Sequence, residues 1–137
     1  MLDLTTEFGQ RADHRLREEE VVWFTTVTPS GVAQPNPVWF YWDGQEVIIY
    51  SQPGSYRIRN ITKNKHVTLN LQGADALGNN VLVMQGEAHL QFDYSSPHPE
   101  YIKKYQHFIS ELGLTVDHLV KEYSVEIIIE LKKLRGV

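Results

Sequence analysis

The stretch PNPVWFYWDGQEVIIYSQPGSYRIRNITKNK, residues 35–65, decides how the rest of the chain is read. Val38 to Trp42 and Glu46 to Tyr50 are rich in β-branched and aromatic residues, which suit a pleated, packed surface. Asp43-Gly44 separates the two runs, and this pair tolerates the positive φ of a type I′ turn, so the runs are expected to form a β-hairpin. The first run carries bulk on both faces, Phe40 and Trp42 on one and Trp39 and Tyr41 on the other. A strand wetted on one side alternates with polar residues. This one is therefore expected to face a core on one side and a partner subunit or a flat ligand on the other.

Ser51-Gln52-Pro53-Gly54-Ser55 turns the chain and ends in a residue suited to cap a helix. Tyr56-Arg57-Ile58-Arg59-Asn60-Ile61 follows, with Ile58 and Ile61 three apart on one face and Arg57 and Arg59 in the first turns. Cations in that place oppose the helix dipole. An anion would neutralise them, because free N–H groups, hydroxyls and guanidinium forks together make a cradle for a phosphate or a carboxylate. The same pattern also fits a solvated helix end whose arginines pair with surface carboxylates, and the residues alone leave both readings open.

Upstream, Asp3 is placed to cap a helix with Leu4, Phe8, Ala12 and Leu16 on one stripe, ending near the acidic run Glu18-Glu19-Glu20. Val21 to Thr28 reads as a strand, turned by Pro29-Ser30-Gly31 into Val32 to Gln34. Pro35 and Pro37 forbid regular central pairing, so this segment is a bend or a sheet edge that leaves the backbone around Asn36 free to meet a ligand. Downstream, His66 to Gln72 alternates, with Val67, Leu69 and Leu71 facing one way. Val81 to Phe92 is the longest strand. Its even positions, from Leu82 to Phe92, are apolar or small, and Gly86 marks a kink or bulge. Ser95 to Gly113 and Thr115 to Lys121 read as helices, and Ser124 to Leu134 as a last strand. Six or seven strands joined mainly by hairpins, with helices between, argue a small antiparallel barrel, mostly β or α+β in class.

At 137 residues the chain suits a single domain able to bury its own core. It has no cysteine, which removes thiol catalysis, thiolate metal sites and disulfides, and fits a reducing cytoplasm. None of the six histidines stands at strong metal-ligand spacing. No apolar run is long enough to span a bilayer, and the N-terminus lacks the pattern of a signal peptide. The net charge of −4 argues against nucleic acid or an anionic membrane as partner. No G-x-S-x-G, phosphate-binding Walker loop or G-x-G-x-x-G occurs. An enzyme without a nucleophile or acid pair works where a cofactor carries the reaction and the protein orients it.

The order of elements, with QPNPVWFYWDG, YSQPGSYRIRNI and the strand ending in Gln85-Gly86-Glu87, resembles the pyridoxamine 5′-phosphate oxidase-like flavin-binding split barrels over nearly the whole chain. It looks closest to their small members classed as F420-dependent oxidoreductases. The resemblance implies one split β-barrel domain over residues 1–137, a homodimer with the cofactor at its interface, and hydride transfer to a small organic substrate with no obligatory catalytic side chain. It implies that Arg57 and Arg59 hold the cofactor phosphate, beside Ser51, Gln52, Ser55 and Tyr56. Pro35, Asn36, Pro37 and Val38 would pass the ring, and Gln85 would approach it from the long strand. F420 is the expected cofactor and FMN the alternative, with a non-catalytic flavin carrier as the rival reading. Many relatives carry Lys at the place of Arg57, a point charge where Arg is a planar fork. True pyridoxamine phosphate oxidases continue into an arginine-bearing C-terminal segment, whereas this sequence ends in LKKLRGV, so vitamin B6 oxidation is not expected.

Overall fold

The computed structural model describes residues 2–136. Helix α1 (Glu7–Glu18) leads into β1 (Val22–Val27), β2 (Ala33–Val38), β3 (Tyr41–Trp42) and β4 (Glu46–Ser51). Helix α2 (Tyr56–Lys63), β5 (His66–Leu71), β6 (Leu82–Phe92), α3 (Pro99–Glu111), α4 (Val116–Glu122) and β7 (Val125–Gly136) follow. The seven strands form one sheet in the order β2-β1-β5-β6-β7-β4-β3, each neighbouring pair antiparallel.

That order puts β2 and β3 at opposite edges, yet only Trp39 and Phe40 separate them in the chain. Three residue steps reach about 10 Å, while a flat sheet of seven strands would be roughly 29 Å wide. The edges therefore meet, and the sheet curls into a barrel that stays open between β2 and β3. Inside lie Phe24, Phe40, Trp42, Ile49, Leu69, Met84, Ile127 and Ile129, with Ala12 and Leu16 of α1 and Ile58 and Ile61 of α2 packed against them.

Several expectations are corrected. Helix α1 is capped by Thr6, whose hydroxyl oxygen accepts from Gly9 N at 2.9 Å. Asp3 instead folds back onto Thr5, accepting from its backbone N–H at 2.9 Å. The first hairpin strand shrinks to Tyr41–Trp42, because Val38 pairs with Val22 at the far edge of the sheet. Of the two turn residues Gly44 and Gln45, only Gly44 has positive φ, at 98°, which is the pattern of a type II′ turn and not of type I′. The outer face of that hairpin packs against helices of its own chain. Trp39 stacks on Tyr105 of α3 at 4.6 Å between ring centroids, and Tyr41 lies against His98, within a second core built by α3, α4, Ile48 and Tyr50. Phe92, expected on an apolar face, is exposed.

The irregularity expected at Gly86 is present, but the extra residue sits on the partner strand. Gln85 pairs with Lys133 and Gly86 with Leu131, so Lys132 of β7 is left over. Gly86 is required there, since a Cβ would lie 2.6 Å from Glu130 O and 2.9 Å from Ile129 Cγ2. Among the described residues no helix is long and apolar enough to cross a membrane.

Candidate functional site

Helix α2 begins as its sequence suggests. Ser55 is the N-cap, its Oγ accepting from Arg57 N at 3.3 Å, which leaves the hydroxyl proton free to be donated outward. Ile58 and Ile61 face the barrel core. Arg57 is half-buried with its guanidinium 5.7 Å from the Tyr56 ring centroid, while Arg59 is exposed. The Nε of Arg57 is buried and has no hydrogen-bond partner, alone in this among the described side chains. A guanidinium N–H left unpaired away from water carries a desolvation cost that an acceptor would remove.

Asn60 fixes α2 against the sheet. Its Nδ2 donates to Thr26 Oγ1 at 2.9 Å and to Gln34 Oε1 at 2.8 Å, and Thr26 and Gln34 are themselves directly paired between β1 and β2. The fastening binds the helix that carries Arg57 to the edge strand that carries Pro35 to Val38. Sequence reasoning missed Asn60, because a polar residue beside two isoleucines gives no sign of a partner 26 positions away.

Strand β2 confirms the reading of its prolines as a sheet edge, since it pairs with β1 alone. Its pleat divides the candidate residues. Asn36 and Val38 lie opposite Phe24 and Val22 of the core, so they share the face to which α2 is fastened. Pro35 and Pro37 lie opposite Thr25 and Trp23 on the outer face. Gln85 is exposed on that outer face as well, at the end of a row formed by Pro35, Thr25, Thr68 and Gln85 on four adjacent strands. Among the described residues no buried hydrophobic cluster lies on this part of the outer face, in contrast to β4 and β7, which α3 and α4 cover. Asn36 and Val38 thus lie on the face to which α2 is fastened, the helix that Ser55, Tyr56 and Arg57 begin, and Gln85, Pro35 and Pro37 lie on the other face.

Two candidates are partly committed elsewhere. Ser51 is buried and donates to Gln52 O at 3.2 Å, and the Gln52 amide reaches Glu122 of α4 at 3.2 Å. An open concavity of about 800 Å³ lies between residues 2–5, the β3–β4 turn and Glu130, and none of the candidate residues lines it. The candidate residues therefore lie along the sheet edge, apart from that concavity. Among the described residues no three His, Asp or Glu side chains are grouped to hold a metal ion.

The profile of the pyridoxamine 5′-phosphate oxidase family matches residues 8–111, a span that includes all but the first residue of α1, the split in the barrel, α2 and all of α3. The chain belongs to that family. Solved structures with the same fold include an F420 reductase, 19% identical over 90% of this chain and 94% of that one, with a TM-score of 0.67. General stress protein 26 of Bacillus anthracis is 13% identical over 96% of this chain and 95% of its own, with a TM-score of 0.69. A haem storage protein of Vibrio cholerae is 12% identical over 93% and 92%, with a TM-score of 0.61. At these identities the likeness is one of fold, and it establishes the split barrel. No curated protein matches the chain in sequence.

Proposed function

We propose that this member of the pyridoxamine 5′-phosphate oxidase family is a homodimeric, cytoplasmic oxidoreductase. It would bind a flavin-type cofactor, F420 first and FMN second, and pass a hydride between it and a small organic substrate. The observation that carries the reading is Arg57, whose Nε–H is buried and unpaired at the start of a helix. A phosphate there would accept from Arg57, from the free Ser55 hydroxyl and from exposed Arg59, charge-assisted bonds that are stronger than neutral ones. When bound, the cofactor supplies the hydride chemistry, and the chain supplies binding and orientation. Asn36 and Val38 would line one side of the ring's place.

The second copy of the chain is part of this reading. Gln85, Pro35 and Pro37 face away from α2, on a sheet face that carries no buried hydrophobic cluster among the described residues. A partner laid on that face would bring its own sheet edge beside them, so that one cofactor would touch both chains. The haem storage protein of the same fold favours a second reading, a non-catalytic carrier of a flat anionic ligand at the same site.

Fluorescence titration of the purified protein with F420 and with FMN, repeated with Arg57→Ala, tests the proposal. Losing the charged hydrogen bonds of Arg57 should weaken binding by about 1.5–3 kcal/mol. Tight binding that Arg57→Ala leaves unchanged would remove α2 from the site, and no binding of either cofactor would overturn the reading. A bound cofactor that no reductant or substrate turns over would favour the carrier.

A further inference from the structure

The second core holds a continuous run of oxidisable rings. Trp39 stacks on Tyr105 with centroids 4.6 Å apart and planes 7° from parallel. Tyr105 lies 5.0 Å from Tyr101, Tyr101 lies 4.7 Å from Tyr50, and Tyr50 lies 4.8 Å from Tyr94. The run starts one residue after Val38, the last candidate residue of the edge strand, and reaches Tyr50, the residue before Ser51. Trp39 is half-buried and so open to a reagent from outside, whereas Tyr105, Tyr101 and Tyr50 are buried.

Packing alone would explain contact between the rings, since offset and edge-on aromatic pairs are favourable in themselves. It does not explain the end of the run. A phenol gives up an electron readily only when its proton can leave at the same time, and Tyr50 is provided for that. Its hydroxyl donates to Glu126 Oε2 at 2.7 Å while accepting from His98 N at 2.7 Å. Tyr105 and Tyr94, by contrast, donate only to backbone carbonyls, which are poor bases.

We infer that Trp39, Tyr105, Tyr101 and Tyr50 form a one-electron relay that draws oxidising equivalents from the sheet edge and stores them on Tyr50 with its proton on Glu126. A one-electron oxidant beside Trp39 takes one electron and is reduced by that electron, leaving the Trp39 radical cation. Electrons then pass outward along the stacked rings until Tyr50 has lost one. The Tyr50 O–H bond breaks, its proton binds the Glu126 carboxylate, and a neutral tyrosyl radical faces a neutral carboxylic acid. The natural oxidant, an excited oxidised flavin-type ring, rests on the function proposed above. The relay itself belongs to the chain and is tested without any cofactor.

The test is flash-quench oxidation of the purified full chain with tris(bipyridyl)ruthenium and persulfate, read by transient absorption and electron paramagnetic resonance. A tyrosyl radical should form, and its signal should be lost in Tyr50→Phe. Trp39→Phe, which keeps a ring in the stack but one that is not oxidised under these conditions, should also lose it. Trp23→Phe, which lies outside the run, should leave it unchanged. Glu126→Gln, which can accept the hydrogen bond but not the proton, should leave Trp39 oxidation intact and abolish the long-lived tyrosyl. An undiminished tyrosyl signal in Trp39→Phe or in Tyr50→Phe would overturn the relay. Failure of F420 and FMN to bind would count against the proposed function and leave this result standing.

Discussion

Asn60 of α2 donates to Gln34 of the edge strand at 2.8 Å, and through this bond the cation-bearing helix and the proline edge are held as one piece. The second N–H of the same amide is taken by Thr26 at 2.9 Å in a site from which water is excluded. Asn60→Ala should cost about 1–3 kcal/mol, because Thr26 is left buried without this partner. Asn60→Asp should cost more, since a carboxylate has no proton for Gln34 Oε1 and sets oxygen against oxygen. Urea denaturation of the two variants checks the order. If the sheet edge is the cofactor site, both should also weaken cofactor binding although neither touches the ligand.

Tyr105 plays the corresponding part where the barrel splits. Its hydroxyl accepts from Phe40 N at 2.8 Å and shares its proton between the carbonyls of Phe40 and Glu20, each at 2.8 Å. These bonds satisfy backbone groups that the break between β2 and β3 takes out of the ladder. Tyr105→Phe should therefore destabilise the chain by about 1–3 kcal/mol through an orphaned Phe40 N–H. A loss below the resolution of a denaturant midpoint would show that the Phe40 backbone finds another partner.

What was legible in the sequence was local. Ser55 as a cap, Ile58 and Ile61 as a buried face, the alternation of Val67, Leu69 and Leu71, and the edge character of Pro35 and Pro37 each follow from the residue and its near neighbours. What was hidden depends on pairing across the chain. Trp39 and Tyr41 looked free to meet a ligand because their cover, Tyr105 and His98, lies more than fifty positions on. The side of the sheet on which Gln85 falls was fixed only when its register with Thr68 and, beyond it, Thr25 and Pro35 was known. Arg57 and Arg59 looked alike in the sequence, yet the buried stripe of Ile58 and Ile61 passes beside Arg57 and leaves Arg59 on the wet face of the helix. Asp3 was read as the cap of α1, and the structure gives that place to Thr6, whose hydroxyl reaches Gly9 N.

Gly86 is a steric requirement and not only a flexible joint. Adding a methyl group puts it against Glu130 O and Ile129 Cγ2, and backbone cannot move aside as a side-chain tip can. Gly86→Ala should cost about 1–3 kcal/mol, with the loss seen as faster hydrogen exchange along β6 and β7. Exchange that stays slow on both strands would mean that the Lys132 bulge absorbs the methyl.

Lys104 predicts the shape of the stability curve in alkali. Its ammonium donates to Phe40 O at 2.9 Å and lies 3.9 Å from the Phe40 ring centroid, and burial lowers its pKa to about 8 against the opposing pull of Glu20, Glu18 and Glu19. The unfolded chain keeps this proton up to the ordinary lysine value of 10.5. Between those values the unfolded state binds more protons, so stability rises with pH. The gain should be about 1–2 kcal/mol once the partial exposure of Lys104 is allowed for. Above pH 10 the sign reverses, because burial raises the phenols of Tyr50, Tyr101 and Tyr105, and the folded state then holds protons that the unfolded one has released. Urea denaturation from pH 7 to 11 should therefore pass through a maximum near pH 10. Lys104→Met should remove the rise and keep the fall, and comparing the two proteins separates Lys104 from the growing negative charge of the whole chain. A rise of equal size in Lys104→Met would show that some other group carries it.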